Sequence, residues 1–137
     1  MTIAEADAML TGPGGFFEIV TETVNGVEMP VVASPHSSLR DLLAASLNHG
    51  GDGSARYYLF DDGRSATFAE NISHTAAVAA GLSERYGIGP GDRVGLLGAN
   101  QPGWIQGFWG TVSAGAIAVA MNGWWKGDEI RYGIELT

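Results

Sequence analysis

The sequence contains no cysteine, and its seven basic residues are outnumbered by fifteen acidic ones. The lack of cysteine excludes a disulfide framework, a thiol nucleophile and a thiolate metal site. The net charge of −8 argues against nucleic acid and anionic membrane surfaces as partners, and no basic patch offsets it. The first residues carry Glu5 and Asp7 where a secretory signal would carry basic residues, so we expect a cytoplasmic protein.

Charge is also absent from Val94 to Trp125, a run that contains all four tryptophans. About 20 apolar residues would cross a bilayer as a helix, so a membrane span is one interpretation. The run is interrupted at Asn100–Gly103, which includes Pro102, and again at Ser113–Gly115. These breaks argue against a transmembrane segment.

The uncharged run instead predicts a β-strand, a helix and a second strand. Arg93–Gly98 and Ala116–Met121 are short apolar runs typical of strands buried on both faces. The helix between them begins at a cap-like Asn100 or Gln101. Its apolar residues recur at helical spacing, at Trp104, Ile105, Phe108, Trp109 and Val112. A strand–helix–strand unit of this kind joins two parallel strands by a right-handed crossover.

Two hairpins are predicted before this unit. Residues 2–10 favour a short helix, and the runs Phe16–Val24 and Val27–Val32 flank Asn25-Gly26, the strongest two-residue hairpin signal. Pro30 predicts that the second run is an edge strand or a broken one. A second hairpin is predicted from strands 56–60 and 65–67 around an Asp-Asp-Gly-Arg turn.

Two further helices are predicted from capping residues. Ser37 or Ser38 caps a helix whose buried face is expected to carry the leucines Leu39, Leu42, Leu43 and Leu47. Thr67 and Glu70 form a capping box for a long helix, with a buried face expected at Ile72, Ala76, Ala79 and Leu82. A last helix is expected from about Asp128 onward.

The chain is therefore predicted to be an α/β protein with peripheral β-hairpins. We divide it into residues 1–35, an N-terminal helix and hairpin arm, and residues 36–137, an α/β subdomain.

Five short motifs follow one another between about residues 57 and 136. They are Thr67–Glu70 at a helix start; Gly91–Val94 at a strand entry, followed by Asn100, Pro102 and Trp104; Ser113–Ala116 at a bend; Met121-Asn122; and Asp128–Tyr132. In this order and spacing they resemble the N-terminal part of the adenylate-forming superfamily, which includes acyl-CoA synthetases, firefly-type luciferases and adenylation domains of peptide synthetases. The first hairpin and Ser38–Leu43 look more like acyl-CoA synthetases acting on fatty or other hydrophobic acids.

The resemblance implies a parent enzyme that joins ATP and a carboxylic acid into an acyl-adenylate, releases pyrophosphate, and passes the acyl group to CoA. Such chemistry needs a phosphate cradle, a magnesium ligand and a cation for the developing charge. The family's Gly-rich loop ending in Pro-Lys, its ribose-binding Asp and its lid lysine are not in this sequence. We therefore expect a piece truncated before the ATP-binding loop and inactive alone, with no cofactor in this fragment, while the parent uses ATP, Mg and CoA. The expected partner is the remainder of the parent ligase.

Trp124 and Trp125 are the candidate site residues, as an acyl-pocket or interface contact. They follow a predicted parallel strand at its carboxyl end, where α/β sheets place ligands, and adjacent loop residues cannot easily both be buried. For Trp104, Phe108 and Trp109, helical spacing favours core packing over an acyl channel.

No catalytic, cofactor-binding or metal residues are predicted. Asn100 is interpreted as a helix cap and Asn122 as a turn residue. The three histidines share no spacing, and the acidic pairs Asp61-Asp62 and Asp128-Glu129 are interpreted as a turn and a helix start.

Two other functions stay open at this point. One is a stand-alone α/β nucleotide-binding protein, although the glycines do not form a dinucleotide fingerprint. The other is a non-catalytic interaction module that uses Trp124 and Trp125, with a homodimer as one form of it.

Overall fold

The computed structural model describes residues 1–33 and 36–137 and divides the chain into two units, Met1–Ser37 and Ser38–Thr137. The predicted boundary after residue 35 lies outside the described residues. The elements are α1 (Ile3–Thr11), β1 (Ile19–Val24), β2 (Val27–Val32), α2 (Leu39–Ala45), β3 (Arg56–Leu59), β4 (Ser65–Thr67), α3 (Phe68–Tyr86), β5 (Arg93–Gly98), α4 (Pro102–Ser113), β6 (Ile117–Asn122) and α5 (Gly127–Leu136).

The first unit consists of α1 and the antiparallel hairpin β1–β2. Asn25 (φ 51°) and Gly26 (φ 82°) occupy the turn, and the positive φ at both positions confirms the predicted hairpin. Pro30 lies opposite Thr21 in a two-stranded sheet, so its strand is an edge strand as predicted. The first strand begins at Ile19 rather than Phe16 because the Phe17 N–H instead donates to the carbonyl of Leu10, 2.8 Å away.

The second unit is built on the predicted strand–helix–strand element. β5 and β6 pair in parallel from Arg93–Ile117 to Gly98–Asn122, and α4 crosses between them. The prediction that both strand faces are buried is wrong: Leu97 is 48% and Ile117 47% exposed. The reason is that α4 covers one face, while on the face of Leu97 an open cavity separates the strands from α5.

The second layer of this unit is α3, which packs on α4. Gly110 allows the two helices to approach closely, since a Cβ at this position would lie 2.8 Å from Val78 Cβ. Of the residues predicted for the buried face of α3, Ile72, Ala79 and Leu82 are half-buried but Ala76 is exposed. The most buried residues of the helix are Asn71 and Thr75, which are 1% and 2% exposed. Alanine fits either side of a helix, so apolar spacing located most of the buried face but wrongly included Ala76 and did not identify the polar residues at its centre.

The leucines predicted on the buried face of the helix that begins after Ser38 also depart from the prediction. Ser38 caps the helix, as one of the two expected serines, and Leu43 is buried. Leu39 and Leu42 are 47% and 46% exposed, and Leu47, which lies beyond α2 in the short 3₁₀ helix Ser46–Asn48, is 40% exposed. The helix is only seven residues long and packs mainly on α4, so one leucine fills the contact and the others stay at the surface.

The hairpin β3–β4 forms as predicted and is joined to α4 by side chains. Trp109 Nε1 donates to Tyr57 Oη at 2.8 Å, and Gln106 Nε2 donates to Tyr58 Oη at 3.4 Å. These bonds connect residues about fifty positions apart, and sequence periodicity gives no sign of them.

Within the described residues, no helix combines the length and apolar character needed to cross a membrane.

We expect Gly110→Ala to destabilise the chain by about 1–3 kcal/mol, because the new methyl group overlaps Val78 and forces α3 and α4 apart. Urea unfolding followed by circular dichroism measures this. The matched control is Gly81→Ala on α3, where nothing lies within 4 Å of the new methyl group, so better helix propensity should add about 0.5–1 kcal/mol. Equal effects of the two substitutions would contradict the close α3–α4 contact.

The capping box of α3 predicts a pH effect. The Thr67 N–H donates to Glu70 Oε2 at 2.8 Å, and this bond, with that from the Thr67 hydroxyl, lowers the pKa of Glu70 below its ordinary 4.5. A lowered folded-state pKa stabilises the fold above the unfolded-state pKa, and this contribution disappears as pH falls through the folded-state value. Glu70→Gln should therefore be less stable than the parent chain at pH 7, and the difference should shrink below pH 4.5. A difference that is constant from pH 7 to pH 3 would rule this out.

Candidate functional site

The helices α4 and α5 lie on opposite faces of the β5–β6 sheet. α4 packs on the face of Leu96, whose Cδ2 would be 3.2 Å from a Cβ at Gly107. Ile130 and Ile134 of α5 share a cavity wall with Gly95 and Leu97, which point to the other face because successive strand residues alternate. The helices that follow β5 and β6 therefore pack on opposite faces of the sheet.

A topological switch point results at the carboxyl ends of β5 and β6. The loop after β5 leaves toward one face and the loop after β6 toward the other, so the loops separate and leave a crevice between them. An open cavity of about 610 Å³ occupies this place. It is lined by Gly98, Ala99, Asn100, Trp104, Met121, Asn122, Gly123 and Trp124.

The loop after β6 is shaped by Asn122 and Gly123. Asn122 Oδ1 accepts the Trp124 N–H at 3.0 Å, and its carbonyl accepts the Trp125 N–H at 3.0 Å, which confirms its predicted turn role. A Cβ at Gly123 would lie 2.8 Å from the carbonyl oxygen of Gly98, so only glycine lets this loop pass so near the end of β5. The turn places Trp124 on the rim of the cavity.

Trp124 and Trp125 have different environments, in agreement with the expectation that they are not both buried. Trp124 is 92% exposed and lines the cavity. Trp125 is half-buried against α5, where a Cβ at Gly133 would lie 2.7 Å from its Cζ3. Trp124 therefore stands at the rim of the crevice, whereas Trp125 packs against α5 and lines a separate open cavity with Asp128, Glu129 and Tyr132.

The two tryptophans of α4 also have different environments: Trp109 contacts the β3–β4 hairpin, and Trp104 lines the cavity. Trp109 is held by Tyr57, as core packing requires. Trp104 stacks parallel to Phe108, with centroids 5.9 Å apart and an interplanar angle of 2°, and it also lines the cavity. For Trp104 the sequence analysis favours core packing over a channel, whereas the structure gives this residue both a stacking partner and a place in the cavity wall. Its position in the first turn after a buried strand was a usable signal.

Asn100 lies in the cavity wall rather than at the start of the helix. The N-cap of α4 is Gln101, which makes no side-chain capping bond, and Pro102 occupies the first turn. The interpretation of Asn100 as a cap is therefore wrong; Gln101, the other candidate, is the cap residue. Asn100 and Asn122 give the cavity two uncharged amide groups.

The carboxylates with a lowered pKa belong to turns and caps, not to the cavity. The hydroxyl and N–H of Ser54 lower the pKa of Asp52, and the N–H and guanidinium of Arg64 lower that of Asp62. Glu129 accepts the Lys126 N–H at 2.7 Å at the start of α5. These carboxylates stabilise local backbone and form no acid/base pair.

The histidines and acids give no sign of a metal centre in residues 1–33 and 36–137: no group of three or more could hold an ion there. His49 stacks on Phe68 with centroids 4.7 Å apart, and His74 Nδ1 lies 3.3 Å from Gln106 Nε2.

The lining of the cavity is therefore neutral, aromatic at Trp104 and Trp124, and polar only through amides and backbone. It suits an uncharged or apolar group, and it offers no cation to a phosphate. The second unit is thus an α/β unit with an open, uncharged crevice at a switch point.

Comparison with known proteins identifies the family. The AMP-binding enzyme family matches residues 44–137, and the chain belongs to this family. It is 30% identical over 116 residues to the mitochondrial medium-chain acyl-CoA ligase ACSF2 of Danio rerio. The matched region covers 85% of this chain and 18% of that protein. It is 38% identical over 60 residues to a feruloyl-CoA synthase of Amycolatopsis, covering 44% of this chain and 12% of the relative.

Solved structures show the same fold. The anthranilate CoA ligase AuaEII, in complex with anthranoyl-AMP, matches with a TM-score of 0.62 and 30% identity over 73% of this chain and 19% of that one. The fatty acid AMP ligase of Legionella pneumophila matches with a TM-score of 0.60 and 27% identity; the match covers 74% of this chain and 18% of that one. The N-terminal subdomain of Klebsiella oxytoca NpsA shares the fold at 20% identity, with a TM-score of 0.63; the match covers 72% of this chain and 24% of that one. The predicted fold class and resemblance are confirmed, and the chain spans about a fifth of the length of these ligases.

The separate roles of the two adjacent tryptophans can be tested by truncation. Trp125→Ala should destabilise the chain by about 2 kcal/mol, because it leaves a void beside Gly133. Trp124→Ala should change stability by less than about 0.5 kcal/mol, because its side chain is exposed. Urea unfolding of both variants measures this, and the reverse order of effects would contradict the assignment.

Proposed function

We propose that this chain is the N-terminal structural subdomain of a fatty-acid–CoA ligase. The observation that carries the proposal is the match to an acyl-CoA ligase across 85% of this chain but only 18% of the ligase. In this proposal the complete enzyme converts a carboxylic acid, ATP and CoA to acyl-CoA, AMP and pyrophosphate through an acyl-adenylate.

The chemistry of the cavity supports a division of labour within such an enzyme. ATP and magnesium need cations and carboxylates around the phosphates. The cavity wall at Trp104 and Trp124 is neutral, so it does not fit a triphosphate or a magnesium ion. We therefore assign the binding of ATP, Mg and CoA phosphates to the rest of the enzyme, and no catalytic step to this chain.

A hydrophobic acid is the proposed substrate class. The relative with the longest match is named a medium-chain acyl-CoA ligase, and a structural neighbour is a fatty acid AMP ligase. The shorter match, to a feruloyl-CoA synthase, has an aromatic acid in its name. We favour a fatty acid because the match to the medium-chain acyl-CoA ligase covers 85% of this chain, whereas the match to the feruloyl-CoA synthase covers 44%.

The crevice at the switch point is proposed to form one wall of a substrate site in the complete enzyme. Trp124 stands on its rim with 92% of its surface exposed, and the half-buried Met121 and Trp104 add apolar side chains to the wall. An exposed tryptophan beside apolar lining is well suited to cover an uncharged part of a substrate.

Pyrophosphate release with ATP and a fatty acid tests the main proposal. The chain 1–137 alone should give no turnover, whereas the full-length product of its gene should release pyrophosphate and form acyl-CoA when CoA is added. Activity of the 137-residue chain alone, or a full-length product that adenylates no carboxylic acid, would contradict the proposal.

The wall role of Trp124 is tested by Trp124→Ala in that full-length enzyme. The KM of one substrate should rise several-fold with kcat nearly unchanged, because contacts made equally in the ground and transition states are lost. Tyr86→Ala removes another exposed aromatic ring, which does not line the cavity, and should leave both constants unchanged. Identical kinetics for the parent enzyme and Trp124→Ala would exclude a substrate wall here.

A stand-alone nucleotide-binding protein is the alternative that the neutral cavity does not favour. Titration calorimetry of the chain 1–137 with ATP and with AMP should show no binding heat. Saturable binding of either nucleotide would favour that alternative.

A further inference from the structure

The β1–β2 hairpin leaves the outer edge of β1 with backbone groups that no other described strand uses. The Ala33 N–H donates to the carbonyl of Glu18 at 2.7 Å, so these two residues form a hydrogen-bonded pair. Hydrogen-bonded and non-bonded pairs alternate along an antiparallel ladder. The residues of β1 whose N–H and C=O groups point away from β2 are therefore Ile19, Thr21 and Thr23.

The two outer edges of this hairpin differ in their ability to accept another strand. Pro30 lies opposite Thr21, at a position of β2 whose N–H would point outward, and proline has no N–H to offer. A proline on an edge strand is one of the devices by which proteins prevent strand addition. On β1, Ile19, Thr21 and Thr23 are all exposed, and their outward groups have no partner within residues 1–33 and 36–137. β1 is therefore the edge that is open to pairing.

One face of β1 carries a carboxylate between two valines. Successive strand residues alternate between the faces, so Val20, Glu22 and Val24 share one face. Glu22 is exposed and lies opposite Met29, and its carboxylate has no ion pair in the part of the chain that the structure describes. A strand added to β1 would place one side chain beside each of these three residues. Apolar side chains suit the two valines, and a lysine or arginine suits the glutamate between them.

The charge of the first unit favours a basic partner over a second copy of this chain. The acidic residues of positions 1–33 are Glu5, Asp7, Glu18, Glu22 and Glu28, and no lysine or arginine lies there. Antiparallel pairing of two β1 strands about Thr21 would place Glu22 diagonally beside the Glu22 of the other copy. The next allowed register in either direction would place glutamates directly opposite each other, and like charges in such positions are destabilising.

We propose that the outer edge of β1 is a docking site for an extended basic segment of a second protein. The segment adds to the hairpin as a third strand and places a lysine or arginine beside Glu22. The outward backbone groups of β1 supply the affinity, and the row of side chains around Glu22 supplies the selectivity. The hairpin lies outside residues 44–137, which match the AMP-binding enzyme family, so this docking is separate from the proposed ligase reaction.

Amide hydrogen exchange of the chain 1–137 with a synthetic peptide tests the pairing. The peptide is acetyl-Thr-Val-Thr-Lys-Thr-Val-Thr-amide, whose pattern is the same in parallel and antiparallel orientation. At saturating peptide, the amides of Ile19, Thr21 and Thr23 should exchange at least about 5-fold more slowly, because bonded amides exchange only when the sheet opens. Those of Glu28 and Val32, on the edge interrupted by proline, should not change. Unchanged exchange on β1, or protection of β2 instead, would overturn the proposal.

Two proline variants separate the edges. Thr21→Pro removes an N–H that the hairpin does not use, so peptide affinity should fall at least about 10-fold while the hairpin stays folded. Val32→Pro removes an outward N–H from β2 and should bind the peptide like the parent chain. Protection of the Val20 and Glu22 amides, which are bonded to β2, reports whether each variant keeps the hairpin. Equal affinities of the two folded variants would contradict the assignment to β1.

Charge variants test the basic character of the partner without touching the backbone. Glu22→Gln should weaken binding of the lysine peptide about 3-fold at low salt, and the difference should disappear near about 1 M salt. Glu28→Gln, which removes a carboxylate from the other face and the other strand, should leave the affinity unchanged. A peptide with glutamate in place of lysine should bind the parent chain at least about 3-fold more weakly. Equal affinities for the two peptides would exclude a basic partner.

The source of the added strand is tested by two further measurements. Sedimentation equilibrium of the chain 1–137 should give a monomer, and a dimer that Thr21→Pro dissociates would assign the edge to a second copy. The full-length gene product should bind the peptide as the chain 1–137 does. Protection of Ile19, Thr21 and Thr23 in that protein without peptide would assign the edge to its own chain, and either result would overturn the proposal.

Discussion

The parallel pairing of β5 with β6 is the constraint on which the rest of the second unit depends. Parallel strands cannot be joined by a tight turn, so the chain must cross over, and α4 is that crossover. α4 then becomes the common support of the unit. Gly110 allows α3 to pack closely, Trp109 donates a hydrogen bond to Tyr57 of the hairpin, and Gly107 lies against Leu96 of β5.

The crevice is a further consequence of the same pairing. With α4 on one face and α5 on the other, the loops after β5 and β6 must diverge, and the space between them cannot be filled by either loop. Asn122 and Gly123 keep the second loop tight, so Trp124 is held outside while Trp125 turns inward against Gly133. The site is thus made by topology, and its neutral character comes from the uncharged run that forms it.

Much of the fold could be predicted because its signals are local. The Asn25-Gly26 turn needs positive φ at two adjacent residues, and the Thr67–Glu70 box satisfies orphan N–H groups within one helical turn. The helix between β5 and β6 was likewise recognisable from Pro102 and the apolar spacing that follows it. Interactions of this kind span a few residues, so sequence pattern captures them.

The features that could not be predicted depend on contacts between distant residues. Asn71 is buried and Ala76 exposed because α3 meets α4 at Gly110, and Leu97 is exposed because one face of the sheet is not covered by α4. Trp104 stacks on Phe108 and also lines the crevice, a double role that helical spacing does not reveal.

The sequence by itself determined the elements, their order, the turns and caps, and the resemblance to adenylate-forming enzymes, since each depends on residues close together in the chain. Only the tertiary structure decided that α4 and α5 lie on opposite faces, and with that where the crevice opens and which tryptophan stands on its rim. The physical reason is that the direction in which a helix leaves a strand is set by packing across the sheet, and no local pattern of residue types encodes it.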